Sequence, residues 1–130
     1  MATITEDYVS FKTAKLLKKK GFNEECEYFY DEYEDEDEYV ICSNGGSAYN
    51  DDEHPTYYSM PTLQMAMKWL REVYKIFITI LFIEDTNYFA YTIENLDTKK
   101  YLSTSKDTSY NNYEEACEAA ILYCLKNLIK

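Results

Sequence analysis

The sequence predicts an α+β fold: a two-layer sandwich in which helices cover an antiparallel sheet, in the order α-β-β-α-β-β-β-α, within a single domain spanning residues 1–130. Three observations carry this. Apolar residues recur at helical spacing in three segments. The segments between them are short, rich in aromatic and β-branched residues, and joined by turns too tight for parallel crossovers, so sequential strands form hairpins. With only 3 Gly and 2 Pro in 130 residues, the elements are long and regular. A hydrophobic fraction of 46%, with 17% aromatic residues, gives a folded chain despite its net charge of -11.

The first helix runs from Phe11 to Lys20. Ser10 caps it, Phe11, Ala14 and Leu17 form its apolar stripe, and Gly21 followed by Phe22 is a left-handed stop. Glu25 to Tyr30 and Glu38 to Ser43 read as paired strands, with Asp31 to Asp37 as a self-repelling loop or hairpin tip. Ser43 to Ser59 has no apolar periodicity and reads as a long exposed loop. Pro61 opens the second helix, Thr62 to Tyr74, whose apolar positions are Leu63, Ala66, Met67, Leu70, Val73 and Tyr74.

Ile76 to Ile83 is almost continuously apolar, the pattern of a central strand covered on both faces. A turn at Asp85-Thr86-Asn87 leads to a strand at Tyr88 to Glu94. A second turn leads to Lys100 to Ser105, which is more polar and therefore an edge strand through which a homodimer can pair; the alternative is a monomer. The last helix, Tyr113 to Leu128, is capped by Asn111 or Asn112 and carries Glu114 and Glu115 in its first turn.

Several function classes are disfavoured. With 24 acidic against 13 basic residues, the chain lacks the charge that nucleic-acid and anionic-membrane binding require. Thr62 to Leu128 shares its element order with double-stranded RNA binding domains, but Glu114 and Glu115 stand where such domains place basic residues. The N-terminus shows no signal-peptide pattern, and the longest apolar run is far too short to span a bilayer, which points to the cytoplasm. Cys26, Cys42, Cys117 and Cys124 form no Cys-x-x-Cys pair and read as small apolar residues in a reducing compartment.

Nor does the sequence predict a cofactor, metal or catalytic residue. His54, the single histidine, lies beside Asp51, Asp52 and Glu53 without the glycine or distal glutamate of a metal loop. Gly45-Gly46 is followed closely by no lysine and by no helix, so it is no phosphate cradle. A small-molecule site or hydrolase centre using the loop around His54 is the alternative reading.

The charge itself is uneven. Residues 21–58 hold thirteen acids and no Lys or Arg, whereas residues 60–130 form a near-neutral α-β-β-β-α core. The first helix is basic, with Lys12, Lys15, Lys18, Lys19 and Lys20 on a face that reads as solvated surface. The acidic stretch also contains Tyr28, Tyr30, Tyr33, Tyr39, Tyr49, Tyr57 and Tyr58. Tyrosine gives rigid amphipathic contact area and carboxylates steer a cationic partner. The leading expectation is therefore a non-enzymatic interaction protein that binds a basic protein surface through Tyr30, Asp31, Glu32, Tyr33, Glu34, Asp35, Glu36 and Asp37, mimicking nucleic-acid charge. Against it stands the reading in which tyrosines pack the sheet and the acids confer solubility.

Three blocks, Tyr8-Val9-Ser10-Phe11 with Ala14-Lys15-Leu16-Leu17 and Gly21-Phe22, then Pro61 to Glu72, then Tyr113-Glu114-Glu115-Ala116, resemble small proteins encoded by bacteriophages and integrated mobile elements of gut Bacteroidetes. The resemblance implies a phage or mobile-element origin and a bacterial cytoplasm. It carries no activity and does not extend to the acidic run.

Overall fold

The computed structural model describes residues 4–33, 38–47, 50–51, 53–105 and 109–129, with residues 44–47 described by their backbone alone. The chain is α+β and divides into two compact units, Met1–Thr62 and Leu63–Ile129. Each builds its own three-stranded antiparallel sheet.

In the first unit, α1 (Phe11–Lys19) begins where the Ser10 hydroxyl accepts a hydrogen bond from the Thr13 amide. It ends as the sequence predicts. Gly21 adopts φ +98°, the Phe22 amide donates to the Leu17 carbonyl at 2.9 Å, and the Gly21 amide to that of Lys18 at 3.1 Å. Phe22 and Leu17 are both fully buried, which completes this C-terminal motif with its hydrophobic contact. Three strands follow: β1 (Cys26–Tyr33), β2 (Glu38–Ser47) and β3 (Tyr57–Met60), with β1 in the centre.

This corrects the expected loop over Ser43 to Ser59. Its first residues continue β2, and its end forms β3, which pairs with β1 from Tyr28↔Met60 to Asp31↔Tyr57. Asp31 to Tyr33 likewise belong to strand β1, paired with Glu38 to Val40, and not to a loop.

In the second unit, α2 (Leu63–Tyr74) buries Leu63, Ala66, Met67, Trp69 and Leu70. Val73, expected on the apolar stripe, is exposed, and the inward position is taken by Trp69, whose ring meets Tyr74 edge-on at 5.3 Å. The sheet is β4 (Ile76–Ile83), β5 (Tyr88–Asn95) and β6 (Lys100–Thr104), in that spatial order. Ile76, Tyr91 and Ile93 point into the core under α2 and α3 (Tyr113–Tyr123).

Two sequence readings change here. β4 is an edge strand, not a central one, and helices cover one of its faces while Phe77, Leu81 and Ile83 on the other are exposed. The last turn of the final helix, Cys124–Leu128, is a π-helix. The polar strand β6 is the opposite edge, as expected. Asn112 caps α3, its side chain accepting from the Glu115 amide at 2.8 Å while the Glu115 carboxylate accepts from the Asn111 amide at 3.1 Å.

Among the described residues, no helix is long and apolar enough to cross a membrane.

Candidate functional site

The acidic, tyrosine-rich segment lies in the first unit, and the β1 register decides which of its side chains reach the surface. Tyr28, Tyr30 and Glu32 share one face of β1 with their partners Ile41, Tyr39, Tyr58 and Met60. Helix α1 covers part of this face. Phe11 packs against Tyr30, Tyr39 and Tyr58 at ring separations of 5.4, 4.6 and 5.7 Å.

Tyr30 is therefore a core residue, and its hydroxyl donates to the buried Val9 carbonyl at 2.6 Å. Asp31 accepts a hydrogen bond from the Thr56 hydroxyl at 2.9 Å. Glu32 is ion-paired with Lys15 at 2.9 Å, its own side chain only 11% exposed. Of the expected binding residues, these three are spent on internal contacts, and Tyr33 is exposed. Glu34, Asp35, Glu36 and Asp37 lie outside the described residues.

Two lysines of the basic face of α1, Lys15 and Lys18, are committed inward, while Lys12 and Lys19 are exposed as expected. Lys18 donates to the carbonyls of His54 and Tyr57, both at 2.8 Å, and its ammonium stands 4.8 Å from the centre of the Tyr58 ring. Lys15 lies 5.0 Å from the centre of the Phe11 ring. The helix-facing side of this sheet thus already holds cations against aromatic rings and a carboxylate.

Beyond the N-terminus of α1 the same side opens into a cleft of about 430 Å³ lined by Thr5, Glu6, Tyr8, Tyr28, Ile41 and Met60. Its walls come from four places in the chain: the segment before α1, β1, β2 and β3. A bridge between Tyr8 and Thr62, with the Val9 amide donating to the Pro61 carbonyl at 3.0 Å, sets the N-terminal segment against the end of β3. Tyr8 and Tyr28 meet edge to face, 5.5 Å between centroids and 87° between planes. Burial pushes the Tyr8 hydroxyl above its ordinary pKa, and the neighbouring Tyr28, Glu27 and Glu6 push it the same way. The site is aromatic, thioether-lined and negative.

The loop around His54 has a different build. The Asp51 carboxylate accepts from the amides of Glu53 and His54 and bonds His54 Nδ1 at 2.8 Å. The His54 hydrogen bond, the largest influence, holds the Asp51 carboxyl below its ordinary pKa. The imidazole stacks on Tyr57 at 5.2 Å. These bonds close a tight turn that leads into β3. His54 is not among the residues lining the cleft. Asn50, which the sequence did not single out, anchors this loop: its amide donates to the Phe22 carbonyl at 2.8 Å and its oxygen accepts from the Ser59 amide at 2.9 Å. Among the described residues no cluster of three or more His, Cys, Asp or Glu is arranged to hold a metal ion.

Comparisons with protein families, with curated proteins and with solved structures find no match.

Proposed function

We propose that the first unit binds a basic segment of a partner protein, receiving a lysine or arginine side chain in the cleft between Tyr8 and Tyr28. The observation that carries this reading is the lining itself: two tyrosines at right angles, Met60 and Ile41 beside them, and Glu6 at the rim. A cation over an aromatic face gains about 0.5–1 kcal/mol when exposed and about 2 when desolvated. A carboxylate alongside adds attraction that salt weakens.

The surrounding charge favours the same ligand. Residues 1–62 carry fifteen acids against five lysines, and Lys15 and Lys18 are already paired within the unit. An approaching basic chain is steered toward the unit as a whole, while the cleft supplies the contact of defined shape. The recognition surface is thereby moved from the hairpin tip toward Glu6, Tyr8 and Tyr28, where the side chains form a concavity.

The test is titration of the full chain with a lysine- and arginine-rich decapeptide, followed by calorimetry and by NMR of the tyrosine rings. Binding is expected to weaken between 50 and 500 mM salt, in a manner sensitive to Tyr8→Ala and Glu6→Gln. Loss of the Tyr8 ring should cost roughly 5- to 30-fold in affinity, corresponding to about 1–2 kcal/mol. Equal binding by wild type and both variants, or no binding at low salt, would overturn the proposal.

A further inference from the structure

We infer that two copies of this chain pair through the outer edge of β4, joining the sheets of their second units into one six-stranded antiparallel sheet. Among the described residues β4 pairs with β5 alone, so its other edge presents unpaired backbone donors and acceptors. Proteins ordinarily protect such an edge with charge, proline, a bulge or brevity. β4 has none of these. It is eight residues long, IFITILFI, without charge or proline, and its register against β5 runs unbroken from Ile76↔Asn95 to Ile83↔Tyr88.

The other described edges are protected. β6 has five residues, begins with Lys100 and is bulged against β5 between Ile93 and Glu94. β3 has four residues, and β2 begins with Glu38 and shifts register against β1. The contrast within one chain singles out β4.

The partner that fits is a second copy. Contact between copies through the first unit sets like charges together, because fifteen acids there face five lysines. The second unit is near neutral, with eight basic and nine acidic residues in 63–130, and β4 itself is uncharged. A twofold axis perpendicular to the sheet, midway between Ile80 of one copy and Ile80 of the other, sets the two strands antiparallel. It sets Phe77 opposite Ile83 and Thr79 opposite Leu81 on the open face, and Ile78 opposite Phe82 on the helix-covered face. Every cross-strand pair in that register is free of charge. The contact is isologous and closes on itself, and the blunted β6 edges end the sheet at six strands.

Its strength follows from area. On β4 itself, Phe77, Leu81, Phe82 and Ile83 are between 36% and 52% exposed. With about 150–250 Å² for a whole large side chain, these four leave on the order of 300 Å² open per copy, to which the backbone edge adds. A standard stable interface buries about 800 Å² per partner. The dimer is therefore expected to be weak and concentration-dependent.

Sedimentation velocity of the full chain from about 1 to 500 μM tests this. A reversible monomer-dimer equilibrium is expected, tightening as salt screens the net charge of -11, opposite to the salt response of peptide binding in the first unit. The double variant Thr79→Lys with Leu81→Lys should be monomeric throughout with an unchanged circular dichroism spectrum, while Tyr101→Lys, near the β6 edge, should dimerise like wild type. Hydrogen exchange of the wild-type chain should show β4 amides gaining protection with concentration, a readout that needs no variant. A monomer at every concentration, a dimer that survives the double lysine substitution, or one abolished by Tyr101→Lys would overturn the inference.

Discussion

The ammonium of Lys18 donates to the carbonyl of Tyr57 at 2.8 Å, joining the last turn of α1 to the first residue of β3. A second bond from the same group to the His54 carbonyl, also 2.8 Å, fixes the turn before that strand. Lys18 is thus a fastener for the one strand of the first unit that reaches β1 from a long sequence distance. Lys18→Met removes both bonds, so that the turn is held to the helix by neither, while the His54 carbonyl keeps the Tyr57 amide at 3.1 Å. A loss of about 1–3 kcal/mol is expected. Lys19→Met, on the exposed face of the same helix, should change stability by less than about 0.5 kcal/mol. Urea denaturation of the two variants beside wild type distinguishes a structural lysine from a surface one.

Tyr30→Phe separates core from recognition surface. The hydroxyl donates to the buried Val9 carbonyl at 2.6 Å, and the ring packs against Phe11 and Tyr39. The substitution keeps the ring and leaves the carbonyl unsatisfied, so about 1–2 kcal/mol of stability should be lost. Affinity for a basic peptide should not change, since Tyr30 does not line the cleft. Denaturant unfolding measures the first effect and calorimetry the second; a large affinity loss in a folded Tyr30→Phe protein would return Tyr30 to the binding surface.

What the sequence made legible was local. Ser10, Gly21 and Phe22 mark both ends of α1 because caps depend on a few adjacent residues, and Asn112 marks the start of α3 for the same reason. What it hid was pairing over distance. Tyr57-Tyr58-Ser59-Met60 is four residues long and follows a polar loop, and nothing in those four residues reveals that β1, some thirty residues earlier, will take them as a partner. The run Ile76–Ile83 is as apolar as a central strand, yet in a β4-β5-β6 meander the first strand must stand at an edge. Periodicity reports how apolar a strand is, not what covers it. The cleft was hidden for a related reason: Tyr8 and Met60 flank helices in the sequence and become neighbours through the Tyr8–Thr62 bridge.

Gly21 is a position where backbone conformation alone decides the outcome. Its φ is +98°, and an added Cβ would meet nothing within 4 Å. Gly21→Ala should therefore cost about 1 kcal/mol, arising from the left-handed backbone and not from a clash. Gly21→Asn should cost less, because asparagine tolerates this region better. Thermal unfolding of the three proteins should rank them Gly, Asn, Ala; an alanine variant as stable as wild type would show that the helix end can relax out of the left-handed conformation.

The cysteines give the pH dependence of stability. Burial pushes the Cys124 thiol up to about 12 and, with a smaller contribution from Glu24, the Cys26 thiol up to about 11, against an ordinary value of 9.0. In the unfolded chain these thiols lose their protons near pH 9, while in the folded chain they keep them. The unfolded state therefore binds fewer protons above pH 9, and stability must fall as pH rises from there toward 11 and 12. Tyr8 and Tyr91, both raised chiefly by burial, act in the same direction at higher pH. At the acid end Asp51, held below 3.8 by its His54 bond, contributes in the opposite sense, its share lost as pH falls through its folded value. Denaturant midpoints from pH 3 to 11 should show a broad maximum that declines above about pH 9, and Cys124→Ala should flatten the alkaline limb. The same burial predicts thiol reactivity. At pH 8 a disulfide reagent should label half-buried Cys42 first and reach Cys26, Cys117 and Cys124 only as the chain unfolds. Rapid labelling of all four in the native protein would contradict the buried placement of the other three.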